Sequence, residues 1–325
     1  MIKTLNVGET FILDFNLNHL SLMSEKPVPI LLMAFARPDL LKRCLSNLSV
    51  FKPPILYIMG DGPRNEQEKK LCDESRELAL NPEWSCEVIP ILNDTNQGIV
   101  QSFVKGMNIM LSDHEFGIYL EDDILLSKTF YKFAQELLIR YKDDKNVGHI
   151  NATNIVPSFT ESNISYYFSN HLTEWGFATW RRVWKSFDLQ MPKWEIANQK
   201  NILRSASSNC RGRRGLREMF NIHCNNPDPW AWGYQWHFNC LYNKLLTITP
   251  AQNMSINIGC NRIDSTNTKG ENPFSSPLKD CTFPLNHPNE VTCNQKFQRL
   301  ASNCVCPSDF SYFIDRFRSR FKGLL

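Results

Sequence analysis

The 325-residue chain has no run of 18 apolar residues, and its first 26 residues lack a basic segment followed by an apolar one. Neither a membrane-spanning helix nor a secretory leader is expected. Charge of one sign is scarce as well. The 36 basic residues nearly balance 33 acidic ones, and a net charge of +3 gives no ground for a nucleic-acid partner. The eleven cysteines, spread from Cys44 to Cys306, include no CxxC pair; Cys304 and Cys306, the nearest two, are separated by one residue. That pattern fits neither a zinc ribbon nor a secreted disulfide framework, so reduced thiols in a cytoplasm are expected. Internal repeats and low-complexity tracts are missing too. What remains is ordinary globular composition, 42% hydrophobic, 21% charged and 12% aromatic, which excludes disordered and collagen-like classes. The length suits one large α/β domain with appendages, or two domains.

The most informative stretch is Phe116-Gly117-Ile118-Tyr119-Leu120 followed at once by Glu121-Asp122-Asp123. A short continuous apolar run reads as a buried parallel strand. Three carboxylates cannot be buried unpaired, so they must meet solvent or a cation at the strand's end. In open α/β sheets that end is where ligands bind. Hard oxygens there would suit a divalent metal on a diphosphate. A solvated acidic loop is the plain alternative.

Around that stretch, apolar runs alternate with helical segments. Pro29–Phe35, Ile55–Met59, Cys86–Leu92, Phe116–Leu120 and Val147–Ile155 read as strands. Between them come a helix from Leu40 to Leu48 with Asp39 as cap, a charged helix over 65–80, one running through Met110, and one from Thr129 to Tyr141. Short connections between alternating elements predict an α/β fold, a Rossmann-like, mostly parallel sheet flanked by helices. Residues 1–26 form an extension with a candidate edge strand at Thr10–Leu13. Residues 27–155 make a nucleotide-binding half, and 156–270, rich in Trp, Asn and Pro, an irregular acceptor half. Residues 271–325 form a tail, in which Phe310, Phe313, Ile314, Phe317 and Phe321 share a helical face interleaved with Arg316, Arg318, Arg320 and Lys322. Such a basic amphipathic helix either lies on an anionic membrane surface or packs its Phe stripe on the domain.

Further strand-end features accompany the acids: Ala36-Arg37-Pro38-Asp39, Gly60-Asp61-Gly62-Pro63-Arg64 and Asn96-Gln97-Gly98. Arg37 can pair with a phosphate or base carbonyl, and Asp61 can accept from a ribose or base. Together with Leu120-Glu121-Asp122-Asp123, these segments resemble the bacterial GT-A glycosyltransferases related to N-acetylglucosaminyltransferase I, whose metal motif takes the form Glu-Asp-Asp. The likeness extends to Glu174-Trp175-Gly176-Phe177-Ala178-Thr179-Trp180-Arg181, to Trp232-Gly233-Tyr234-Gln235-Trp236 and to Asn257-Ile258-Gly259, covering roughly residues 28–268. A rigid aromatic core segment would account for the Trp-rich run without any ligand.

The resemblance implies a GT-A fold and transfer of a sugar from a nucleotide-sugar, UDP-linked, to a hydroxyl of a glycan or lipid-linked acceptor, with inversion. By the same analogy Asp123 binds Mn²⁺ or Mg²⁺. Glu121 and Asp122 orient ribose and sugar hydroxyls, Arg37, Asp61, Arg64 and Gln97 hold the nucleotide, and a sugar stacks on Trp175. Inversion needs a carboxylate base near the acceptor. Relatives often carry an acid where this chain has Gly233, so Asp228 and Glu174 are the candidates. Relatives often have His where Asn267 stands, and His171, His223 and His237 are expected to be packed or solvated. Other readings are a sugar nucleotidyltransferase, opposed by the absence of glycine from Phe35-Ala36-Arg37-Pro38, and a binding protein that has lost its base. The cell-surface acceptor implied by the family, and the tail, place the protein in the cytoplasm with peripheral contact at the inner face of the membrane.

Overall fold

A computed structural model describes residues 26–161, 163–260, 262 and 276–305. The first element, β1 (Ile30–Ala34), is buried throughout and leads to α1 (Pro38–Leu48). Pro38 opens that helix, where its fixed φ and missing N–H cost nothing. Asp39 therefore sits in the first turn and is not the expected cap; it pairs instead with Arg262 at 2.7 Å. Next come β2 (Ile55–Gly60), α2 (Glu66–Leu80, capped by the Asn65 side chain), β3 (Glu87–Leu92), α3 (Gly98–Asp113) and β4 (Phe116–Glu121). A short β5 (Ile124–Leu126), α4 (Phe130–Arg140) and β6 (Val147–Asn151) complete the first half. The strand expected to reach Ile155 stops at Asn151.

The second half holds β7 (Tyr166–Ser169), β8 (Phe177–Trp180), α5 (Arg181–Trp184), α6 (Trp194–Gln199), α7 (Leu203–Ala206), α8 (Cys210–His223), α9 (Gly233–Tyr242), β9 (Leu246–Pro250) and β10 (Ser255–Asn257). The last described element is α10 (Gln295–Val305). The N-terminal extension and the basic tail helix lie outside the described residues, as does Asn267.

Eight strands form one sheet in the order β3-β2-β1-β4-β8-β6-β9-β7. The part formed by the first half of the chain, β3-β2-β1-β4, is wholly parallel, as the α-helical crossovers require. Beyond it β8 runs antiparallel between β4 and β6, β6 and β9 are parallel, and β7 closes the edge antiparallel. The fold is thus the expected helix-flanked α/β sheet, parallel in most of its pairings. A single core cluster draws on both halves, from Val28 and Ile58 to Phe177, Trp236 and Ile248. A separate ribbon pairs β5 with β10, which carries the segment after Asn257 back to the acids that end β4. Ten cysteines are described, all as free thiols, and no described helix is long and apolar enough to cross a membrane.

Candidate active site

The carboxyl ends of β1, β2 and β4 lie side by side, since β1 pairs with both neighbours. Arg37, just past β1, reaches across to the acids that follow β4. Its Nη2 is paired with Asp122 Oδ1, its Nε lies 3.3 Å from Asp122 Oδ2, and its Nη1 lies 3.0 Å from Asp123 Oδ2. The Phe35 N–H also points to Asp122 Oδ2, at 3.4 Å. Both aspartates are buried, and an unpaired charge there would cost several kcal/mol, on the order of the desolvation penalty per ion. The rigid guanidinium fork answers that need. Burial alone would lower the Arg37 pKa, but Asp122 and Asp123 outweigh it and raise it. Burial also pushes Asp122 up to about 7 against the pull of Arg37. These shifts favour opposite forms of one pair. A guanidinium that keeps its proton and holds both Asp122 oxygens serves the ionised carboxylate, so we read the pair as charged. Glu121, half-buried, is raised by desolvation and then by the charge of Asp123, while Tyr119 donates to its Oε1 at 2.8 Å.

The partners of Arg37 in this structure are therefore carboxylates, which balance its charge within the protein. Asp61 is likewise held by the protein itself. Its Oδ1 accepts from the N–H groups of Gly62 and Gln97, both at 2.9 Å, and from Asn93 Nδ2 at 3.0 Å; its Oδ2 accepts from the Gly98 N–H at 2.9 Å. It ties the end of β2 to the positive end of α3, a favourable place for an anion. Gln97 turns its side chain onto Thr95. Arg64 pairs with Glu68 on the surface and lies 5.3 Å over the Phe35 ring.

Across the sheet a cavity of about 710 Å³ is walled by residues 171–175, by α8, by the start of α9, and by Ser302 and Val305 of α10. Glu174 and Trp175 line it. The other aromatic residues of the run do not: Phe177, Trp180 and Trp184 are buried in the core, where Phe177 packs on Tyr119 and Trp232. The core reading thus holds for most of the run, with Trp175 facing the cavity. The Glu174 carboxylate has no hydrogen-bond partner among the described residues. Solvent reaches it through the cavity mouth, yet protein surrounds it closely enough for desolvation to push it up to about 7. Access to water moderates that shift. A Cβ on residue 233 would overlap the Glu174 carboxylate. Gly233 is therefore the residue that makes room for Glu174. Asp228, the other candidate base, is exposed on the loop before α9 and does not line the cavity. His171 and His237 also line the cavity, but burial holds their pKa values down at about 3 and about 4. They bond Ser302 and the Asn170 carbonyl, as packed histidines do.

No cluster of three His, Cys, Asp or Glu side chains converges among the described residues. A divalent ion on a diphosphate needs fewer, since Mg²⁺-type sites take one or two carboxylates and draw the rest from phosphates and water. Asp122 is consumed by Arg37 and Phe35. Asp123 is the better fit: its Oδ1 has only a 3.4 Å bond from Asn257 Nδ2, and its Oδ2 faces Arg37. The backbone of residues 257–259 lies so close that a Cβ at Gly259 would strike Asp123, and the Ile258 N–H donates to the Asp123 carbonyl at 2.8 Å. Sequence reasoning missed Tyr119 and the meaning of Gly233. The i, i+2 spacing of Tyr119 and Glu121 on one strand face held the first signal; nothing local held the second.

No family model matches the chain, and no curated relative does. Solved structures do show likeness. HddC from Yersinia pseudotuberculosis, complexed with GMP-PN, is 11% identical at a TM-score of 0.33, over 49% of this chain and 80% of that one. A UDP-glucose pyrophosphorylase complexed with UDP-glucose is 7% identical at 0.33, over 69% and 90%. An inositol-1-phosphate CTP transferase from T. maritima is 9% identical at 0.33, over 71% and 88%. At such scores the likeness carries no argument about chemistry. The three do not include an N-acetylglucosaminyltransferase, so that resemblance rests on the motifs.

Proposed function

We propose that this protein is an enzyme that uses a nucleotide-diphospho-sugar, and that it transfers the sugar to an acceptor hydroxyl with inversion. The observation that carries the reading is the Glu174 carboxylate. It is unpaired, is raised toward neutrality, lines a cavity, and occupies space vacated by Gly233. A general base works best with a pKa near the working pH, and desolvation raises Glu174 in that direction, with its exposure to water moderating the shift. In this reading Glu174 takes the proton of the acceptor hydroxyl as its oxygen attacks the sugar's anomeric carbon, and the bond to the diphosphate breaks. Trp175 offers the sugar an aromatic face. Arg37 holds Asp122 and Asp123 in register, and Glu121 orders a sugar or ribose hydroxyl. Asp123 would hold Mn²⁺ or Mg²⁺, which supplies Lewis-acid stabilisation of the leaving diphosphate when bound.

The second reading is sugar nucleotidyl transfer, the activity named for similar solved structures such as the UDP-glucose pyrophosphorylase and the inositol-1-phosphate CTP transferase. On this chain, the Phe35–Pro38 turn without glycine and a carboxylate on the acceptor side favour glycosyl transfer. One pair of assays separates them. Glycosyl transfer releases a nucleoside diphosphate from a nucleotide-sugar, accelerated by Mn²⁺ and lost in Asp123→Ala and Glu174→Gln. Nucleotidyl transfer releases pyrophosphate from a nucleoside triphosphate and a sugar 1-phosphate. Pyrophosphate alone would replace the first reading by the second. Neither product, with nucleotide-sugar binding intact, would leave a binding protein.

A further inference from the structure

We infer that the acceptor is a saccharide of at least two linked rings, the outer one lying on Trp230 while the inner one meets Glu174. This rests on the reading of Glu174 as the acceptor-side base. Of the eight tryptophans Trp230 alone is exposed, at 51%. It is nonetheless fixed in place. Its ring packs on His223, with centroids 4.8 Å apart, and meets Tyr234 edge-on at 5.8 Å and 76°. The loop that carries it is tied down by the Asn225 N–H on the Gln190 carbonyl at 2.9 Å and by the Asp228 N–H on Asn226 Oδ1 at 3.0 Å. Pro227 and Pro229 stiffen the loop on either side of Asp228. A ring already held loses little freedom when a ligand covers it.

Tyr234 joins this ring to the base. It follows Gly233, whose missing Cβ makes room for Glu174, and it lines the same cavity as Glu174 and Trp175. Its ring stacks on His223 at 5.1 Å. Burial and the Glu174 charge both raise its hydroxyl, which has no hydrogen-bond partner among the described residues. Aromatic surface thus continues from the cavity, through Tyr234, to Trp230 outside it. The steep angle between the two rings suits two sugar rings turned about a glycosidic bond, and not one flat ring system. Fixed aromatics supply large contact area at low entropic cost, and a pyranose meets them with its C–H face while its hydroxyls stay solvated. The cavity's volume of about 710 Å³ lies in the upper part of the usual range of about 300–1,000 Å³. Asp228, exposed on the same loop two residues before Trp230, opposes an anionic lipid surface as the occupant.

The test is calorimetric titration of the full chain with methyl glycosides of matched mono- and disaccharides in the gluco, galacto and manno series. In at least one series the disaccharide binds about 10-fold or more tighter than its monosaccharide, the scale on which an aromatic anchor acts. Trp230→Ala removes that advantage, and Trp230→Phe, which keeps an aromatic face, retains part of it. The wild-type chain gives a reading that needs no variant. Acrylamide quenching falls mainly on Trp230, and the disaccharide protects that fluorescence where the monosaccharide does not. No disaccharide advantage in any series, an advantage unchanged in Trp230→Ala, or fluorescence left unprotected by a bound disaccharide would each overturn the inference. So would a Trp230→Ala variant that loses binding to phosphatidylcholine–phosphatidylglycerol vesicles and keeps every saccharide affinity, since the ring would then be a lipid contact. UDP-glucose and other nucleotide-sugars are titrated in parallel. Their failure to bind, with the disaccharide advantage intact, sinks the proposed function and leaves the saccharide platform standing; the converse sinks only the platform.

Discussion

The two carboxylate groups of this molecule are built on opposite plans. On the donor side Asp122 and Asp123 are buried against Arg37 and against backbone N–H groups. At the cavity Glu174 stands without a hydrogen-bond partner among the described residues, in space that Gly233 leaves open for it. The first plan suits groups that must keep charge and position. The second suits a group that must gain and lose a proton. On the function proposed above, the contrast gives positioning to one set and proton transfer to the other, and it can be broken from either side.

The largest effect is expected from Glu174→Gln, which keeps shape but removes the base. Transfer should fall by about 10²–10⁴-fold, the usual worth of general base catalysis, while nucleotide-sugar affinity measured by calorimetry stays constant. An active Glu174→Gln would end the contrast. Arg37→Met acts on the other side. It leaves two buried acids without their cation and should destabilise the fold by roughly 3–5 kcal/mol in denaturant titration. A smaller loss would mean that the acids are solvated after all. Gly233→Ala forces the Glu174 carboxylate aside; a displacement of about 1 Å can cost up to 10²-fold in rate, with melting temperature little changed. The pH profile sharpens the same point. Glu174 works as carboxylate and its pKa is raised to about 7. Rate should therefore fall as pH drops through about 7 and level off above it; a limb near the ordinary carboxylate range would remove the argument from burial. The smallest effect belongs to Arg64→Ala, whose surface pair with Glu68 is worth about 0–1 kcal/mol. A 10-fold loss of nucleotide-sugar affinity there would return Arg64 to the ligand.

The first half was legible because its signals are local. Apolar runs such as Ile30–Ala34 and Phe116–Leu120 are buried on both faces of the sheet, so composition alone marks them. The second half resisted because its strands and helices are short: β7 and β8 have four residues each. They are held by aromatic contacts across the core, such as Phe177 with Trp236 at 6.1 Å, and not by their own periodicity. The same limit applied to the site. Glu121-Asp122-Asp123 could be read as a ligand-facing cluster, since the chemistry of three adjacent acids is local. That their cation is Arg37, 84 residues earlier than Glu121, could not. Nor could the partners of Asp61 be read: the turn at 97–98 folds back onto both its oxygens.

By itself, then, the chain determined its alternation of strands and helices and the presence of acids at a strand's end, because burial and charge penalties act on consecutive residues. Tertiary structure alone decided which acid is held and which is left open. That choice depends on Arg37 meeting Asp122 across the sheet and on Glu174 meeting Gly233 across the cavity, contacts that are distant in sequence and have no local trace.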